Sequence, residues 1–316
     1  MGVIAALGFF FGAIVGSFLN VVVWRVPRGM SLVRPPSTCP KCGHGIRAWE
    51  NIPILSWVFL GGRCSRCRQP ISWKYPAGEA ATGALYMLVA IRVWQDGLPL
   101  STLLPWFWFA GAMLSLARID WEHGVLPNLV TYSGMAFAVL CTLAFPLSRP
   151  ALVNSANPHY GGMLTRRVVE AVANAPLPEW LSLRLASLVH CLAGMALGFL
   201  LLASVHFLGR KALQAMARRT GRQLPQEALG WGDVKMLAMT GAFLGADAVV
   251  ILLAGGTLLG TLVGILAAAF PRKGQGRQAK DLAWRQLPFA PFFAVPALLW
   301  VVAGNWFYWA VLPFLP

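Results

Sequence analysis

Eight apolar stretches divide the chain, near residues 3–24, 79–95, 101–118, 125–145, 185–207, 235–246, 248–270 and 289–312. Most approach the ~20 residues that a helix needs to cross a hydrocarbon layer of ~30 Å. The stretch 235–246 is short and fits a partly re-entrant segment. The alternating pattern of a membrane β-barrel is absent. The pattern therefore predicts an all-α polytopic membrane protein with about eight transmembrane helices. The first stretch has no basic run before it and no small-residue cleavage site after it, so it reads as a retained anchor. Four polar regions interrupt the pattern, at 26–78, 146–184, 208–234 and 271–288. The expected organisation is a first helix at 1–25, a small domain at 26–78 and a seven-helix core at 79–316. An insertion at about 146–184 interrupts that core; within it, 163–173 fits a short amphipathic helix or a solvated loop.

Composition sharpens this picture. Hydrophobic residues make up 57% of the chain and charged residues 12%, half the charged share of a soluble protein. The net charge of +15 would suggest nucleic-acid binding in a soluble chain. Here the positive-inside rule accounts for it, and no nucleic-acid partner is expected. With the N-terminus outside, 21 of the 26 basic residues fall on cytoplasmic segments. The basic loop at 271–288 suits anionic lipid headgroups at that face.

Two kinds of residue carry candidate chemistry. Cys39-x2-Cys42 and Cys64-x2-Cys67 form two pairs separated by 21 residues. Two residues between thiolates let one tight turn present both sulfurs to a single ion, and two such turns complete a tetrahedral site suited to Zn²⁺. A reducing cytoplasm argues against disulfides. A closed four-thiolate site has no open position, so the metal is expected to be structural. His44 reads as a turn residue beside that tetrad, and Cys141 and Cys191 as packing residues in apolar helices.

The second kind is acidic. Asp120 and Asp233 lie 113 residues apart, each at the edge of an apolar segment and, by the predicted topology, on the same face. A carboxylate there needs a partner, water or a function. Two carboxylates sharing a site hold one proton between them, and the ionised member then takes a proton from water while the protonated one polarises a scissile carbonyl. The bland alternative is that each caps a helix or pairs with Arg118 or Lys235. Gly230 and Gly232 before Asp233 permit a sharp turn and close approach of a substrate strand. Zinc-protease H-E-x-x-H and serine-hydrolase G-x-S-x-G motifs are missing. Proton or ion transport is disfavoured because both acids sit at one face rather than at mid-membrane. His190 and His206 read as buried helix residues.

In order along the chain stand Gly16-Ser17-Phe18-Leu19-Asn20 with Arg25, the cysteine pairs flanking Asn51-Ile52-Pro53, then Tyr75-Pro76 and Glu79. Asp120 follows in an I-D-x5-L-P frame, Asp233 in G-x-G-D-x-K with Lys235, and finally Pro288-Phe289-Ala290-Pro291-Phe292. In this arrangement the chain resembles the prepilin peptidase family, G-x-G-D intramembrane aspartic proteases that are also N-methyltransferases. The resemblance implies cleavage of the basic leader of type 4 prepilins or pseudopilins after a glycine, at the cytoplasmic face of the bacterial inner membrane. It also implies methylation of the new N-terminal residue with S-adenosylmethionine, and an aspartate dyad of Asp120 and Asp233. Gly230, Gly232, Lys235 and Glu79 would support the site, Glu79 as an acid near it or as a helix-start residue. The chain departs from the family's pattern in having Asn128 where an aspartate is frequent, and in the length of 146–184. Asn keeps the turn chemistry at that position. A peptidase without methyl transfer, or a non-enzymatic membrane adaptor or transporter, are the competing expectations.

Overall fold

The computed structural model describes residues 1–146, 167, 171, 176–220, 229–269 and 288–303. Among them the structure is helical, with two isolated β-bridges, Thr38–Gly45 and Arg63–Pro70. The helices are α1 (Gly2–Arg25), α2 (Leu55–Phe59), α3 (Lys74–Gln95), α4 (Leu103–His123), α5 (Asn128–Ala144), α6 (Glu179–Thr220), α7 (Trp231–Leu244), α8 (Ala246–Ala269) and α9 (Ala290–Ala303). Four are long and apolar enough to cross a membrane: α1, α4, α6 and α8; α5 and α9 are shorter apolar helices. Contacts divide the chain into two compact units, Met1–Ile119 and Asp120–Pro316.

In the first unit α1 packs along α3 because its facing residues are small. Gly8, Gly12 and Gly16 recur every four residues on one face, the spacing that lets membrane helices approach closely. A methyl on Gly12 would stand 2.7 Å from the Thr82 carbonyl oxygen, and one on Gly16 2.8 Å from the Glu79 Cα. Tyr86 of α3 donates its hydroxyl to the Phe107 carbonyl at 2.5 Å and stacks on the Phe107 ring at 4.2 Å. Asn20 is buried between these helices; it donates to the Tyr75 carbonyl and accepts from Arg118 at 2.7 Å.

The second unit is built around α7. Every residue from Met236 to Phe243 is buried, with α5, α6, α8 and α9 packed against this helix. A fourteen-residue helix is only ~21 Å long, too short to span the hydrocarbon, which matches the short stretch in the sequence. Its tightest contact is with α6. A methyl on Gly241 would lie 2.0 Å from the Gly194 carbonyl oxygen, and one on Gly198 2.5 Å from that of Leu237.

One expectation changes. The region 208–220, read from its basic residues as the start of a polar connection, continues α6 as helix. Helix-favouring Ala, Leu, Gln, Met and Arg carry it on, and its 42 residues reach ~63 Å. Of the insertion at 146–184, residues 147–166, 168–170 and 172–175 lie outside the described residues.

Candidate active site

Asp120 lies in the last turn of α4 and is buried. Its Oδ2 accepts the backbone N–H of Ala290 at 2.9 Å, and the Phe289 N–H also bonds to its carboxylate. The Pro288–Phe292 stretch therefore supplies the amides at the start of α9 that hold this carboxylate. First-turn N–H groups have no partner within their own helix, and their dipoles favour an anion. Nothing in the side chains of that stretch signals this use of its backbone.

Asp233 lies in the first turn of α7, half-buried, within electrostatic range of Asp120. Its backbone N–H bonds to the Gly230 carbonyl at 3.2 Å, and its carboxylate accepts the N–H of Gly230 and its own. The two acids are thus brought together, each against backbone donors at a helix start.

The glycines contribute differently from the expectation of a sharp turn. Gly230 has φ −76° and ψ 149°, an extended conformation open to any residue. Gly232 is required by space: a methyl there would stand 2.7 Å from Cβ of Leu126, in the frame that follows Asp120. The segment after one aspartate and the turn before the other pack directly together. Neither suggested ion pair forms. Arg118 bonds to Asn20, and Lys235 donates to the Asn128 side chain while its ammonium lies 5.5 Å from the Tyr132 ring. Asn128, the departure from the family's pattern, therefore ties α5 to α7 beside Asp233.

His206, read from the sequence as a buried helix residue, is fully buried and also touches the site. Its Nδ1 lies 2.6 Å from the Leu229 carbonyl oxygen, and its ring lies 4.9 Å from that of Trp231. It holds the turn that carries Gly230 and Asp233. Glu79 departs from the helix-start role: it sits in the second turn of α3, where its Oε2 accepts the Ile54 N–H at 2.7 Å.

The sulfur ligand atoms of Cys39, Cys42, Cys64 and Cys67 lie within 4.8 Å of one another. The two turns repeat one hydrogen-bond scheme. Cys39 N–H bonds to the His44 carbonyl and Gly43 N–H to that of Cys39; Cys64 N–H bonds to the Gln69 carbonyl and Arg68 N–H to that of Cys64. The fifth residue of each turn is left-handed, Gly43 at φ 69° and Arg68 at φ 57°. Backbone N–H groups of Lys41 and Cys42 pull the Cys39 thiol down to about 6, which favours the metal-binding thiolate. The Cys39–Cys67 sulfur separation of 3.8 Å equals the edge of a tetrahedron with Zn–S bonds of ~2.3 Å, about 3.8 Å. The donor set thus fits a zinc ion. His44 points elsewhere, its Nε2 3.4 Å from Glu50.

The architecture is that of an all-helical membrane protein with a four-cysteine cluster and two carboxylates within electrostatic range of each other. Residues 10–93 match the bacterial peptidase A24 N-terminal domain and residues 107–265 the type IV leader peptidase family; the chain belongs to that family. Its relatives include prepilin leader peptidase/N-methyltransferases of Pseudomonas putida, 30% identical over 94% of this chain and 90% of that one. The Pseudomonas aeruginosa enzyme of that name is 32% identical over 92% and 88%. That of Myxococcus xanthus is 35% identical over 82% of this chain but 61% of its own length. No solved structure matches the chain.

Proposed function

We propose that the chain cleaves the leader of type 4 prepilins and pseudopilins and methylates the new N-terminus, with Asp120 and Asp233 as the hydrolytic dyad. The observation that carries the dyad is the convergence of these two residues, 113 positions apart in sequence, within electrostatic range at two helix starts. One carboxylate takes a proton from water while the other, protonated, donates to the scissile carbonyl. Gly232 keeps the two segments close, and the amides of Phe289 and Ala290 fix the Asp120 carboxylate. Family membership and the printed names of the relatives support both activities. The four long apolar helices α1, α4, α6 and α8, with the shorter apolar α5 and α9, support a polytopic arrangement of about eight spans, and the basic asymmetry of the sequence supports a dyad at the cytoplasmic face of the inner membrane. Zinc on the four cysteines braces residues 26–78 structurally. S-adenosylmethionine supplies an activated methyl group when bound.

The test is cleavage of a synthetic prepilin by the purified protein in nanodiscs, compared with Asp120→Asn and Asp233→Asn, each checked for fold and zinc content. Loss of at least about 10³-fold in both folded variants is expected. A folded variant that cleaves at the parent rate overturns the dyad.

A further inference from the structure

A cavity of about 740 Å³ runs along one side of α1 in the first unit, within the size range of ligand pockets. Its α1 wall extends from Phe9 to Arg25, ~24 Å at 1.5 Å per residue. The facing wall comes from the segments 32–37 and 48–55. Phe10, Ile14 and Phe18 line it with half or more of their surface exposed, as does Val33 on the facing wall. On a candidate membrane span this side opens toward hydrocarbon.

The facing wall reaches well back along α1. The Glu79 carboxylate accepts the Ile54 N–H at 2.7 Å and also bonds to the Ser17 side chain, so Ile54 stands at the level of Ser17. Ser17 precedes Arg25 by eight residues, ~12 Å along the helix. The tie holds a strained turn: Leu55 N–H bonds to the Pro53 carbonyl at 2.6 Å across Ile54, whose φ of 62° and ψ of −53° form a γ-turn of the rare positive-φ kind. A β-branched residue seldom enters that region, and such strain persists where surroundings enforce it. Ile52 and Leu55, beside this turn, line the cavity with nearly half of their surface exposed. Both walls therefore present apolar side chains to one space that opens toward lipid.

One end of that space is cationic. Arg25 is the charged residue of the lining, and no acidic residue lines it. Arg25 is buried, and its guanidinium donates to the Ser31 carbonyl at 2.9 Å and the Pro35 carbonyl at 2.7 Å. These bonds use two of its five N–H groups and, being to neutral acceptors, leave its charge in place. Among the described residues no carboxylate lies within ion-pair distance of it. A buried cation without a counter-ion favours an anionic ligand. The segment 26–78 beyond it adds eight basic residues against one acidic, Glu50. We propose that the cavity holds one anionic phospholipid of the leaflet at the Arg25 end of α1, cytoplasmic in the topology above. Its phosphate lies at Arg25 and one acyl chain runs along Phe18, Ile14 and Phe10. A basic pocket at the end of a membrane helix suits such a headgroup. The acyl chain needs no hydrogen bond, whereas a peptide strand between these apolar walls leaves backbone groups unpaired. The lipid fills the gap between α1 and the facing segments and so holds them together. The inference is independent of the dyad and of methyl transfer.

The experiment uses the full chain in nanodiscs of phosphatidylcholine with a minor share of phosphatidylglycerol. Benzoylphenylalanine replaces Val33 on the wall facing α1, and the masses of its photoadducts identify the lipid. Phosphatidylglycerol adducts are expected to exceed that lipid's share about fivefold or more, the factor that one basic residue at an anionic surface supplies. The same probe at Leu262, exposed on α8, is expected to follow the bulk composition. Arg25→Gln is expected to bring the Val33 adducts down to the bulk ratio, while Arg25→Lys keeps the excess. Ile14→Trp fills the groove away from the charge, and loss of most lipid adducts at Val33 is expected with zinc content unchanged. Excess inorganic phosphate is expected to leave the adducts as they are; their loss would assign the anion to free phosphate and overturn the lipid. Adducts at the bulk ratio, an absence of lipid adducts at Val33, or displacement of the lipid by a synthetic pilin segment would overturn the proposal equally.

Discussion

Gly241→Ala in α7 is the sharpest test of how the fold holds Asp233. The added methyl would stand 2.0 Å from the Gly194 carbonyl oxygen, and the reciprocal Gly194→Ala methyl 2.1 Å from that of Gly241. Non-bonded carbon and oxygen do not approach below about 3.0 Å, so α6 and α7 must part by about 1 Å. Neither obstacle is a side chain, and a helix carbonyl cannot rotate away. Relieving such overpacking costs about 1–3 kcal/mol, against a helix-propensity gain for Gly→Ala of at most about 1 kcal/mol. The clash therefore decides the sign. Asp233 lies eight residues toward the start of the same helix, ~12 Å away, and a rigid helix carries the displacement to it. A shift of about 1 Å in a reacting group costs about 100-fold in rate. The assay is prepilin cleavage together with the thermal inactivation midpoint in detergent. Gly260→Ala is the control, since its nearest neighbour, on the Phe292 ring, stands at an ordinary 3.6 Å; its rate and midpoint are expected to hold or rise. A Gly241→Ala protein with parental rate and midpoint would refute the reasoning, because the helices would then have separated without moving the acid.

Three further outcomes follow from the same geometry. His206→Phe leaves the Leu229 carbonyl without its 2.6 Å partner; a loss of about 1–2 kcal/mol in transition-state stabilisation is expected, read as a roughly tenfold lower kcat for cleavage with the zinc content unchanged. Arg68→Gly relieves a left-handed φ of 57° and is expected to stabilise the zinc-loaded domain by up to about 1 kcal/mol, whereas Gly43→Ala at φ 69° destabilises it; chelator-driven zinc release rates check both signs. Cys64→Ser removes one of the four sulfurs, and less than about one-tenth of the zinc is expected to survive purification by elemental analysis, with proteolysis newly accessible across 26–78.

Sequence by itself determined the membrane class, the helix order and the four-cysteine cluster, because each rests on local chemistry. An apolar run of membrane length must satisfy its backbone internally, and two C-x2-C turns present thiolates from within a few residues. The short stretch at 235–246 was legible for the same reason. The two aspartates were legible as residues out of place, but the backbone amides that hold them were not: an N–H of Ala290 has no side-chain signature and finds Asp120 only in the folded chain. The roles of the glycines were likewise decided by packing. Gly232 serves Leu126 rather than a turn, and Gly194 serves Gly241; both are distances between segments far apart in sequence. The Gly8, Gly12, Gly16 stripe is the intermediate case, a spacing visible in the sequence whose partner, α3, appears only when helices pack. Tertiary structure also decided that 208–220 stays helical, that His206 braces the turn before Asp233, and that Glu79 pins a strained turn instead of starting a helix. These are contacts between elements, and a pattern along one element records which face is small or apolar without recording what meets it.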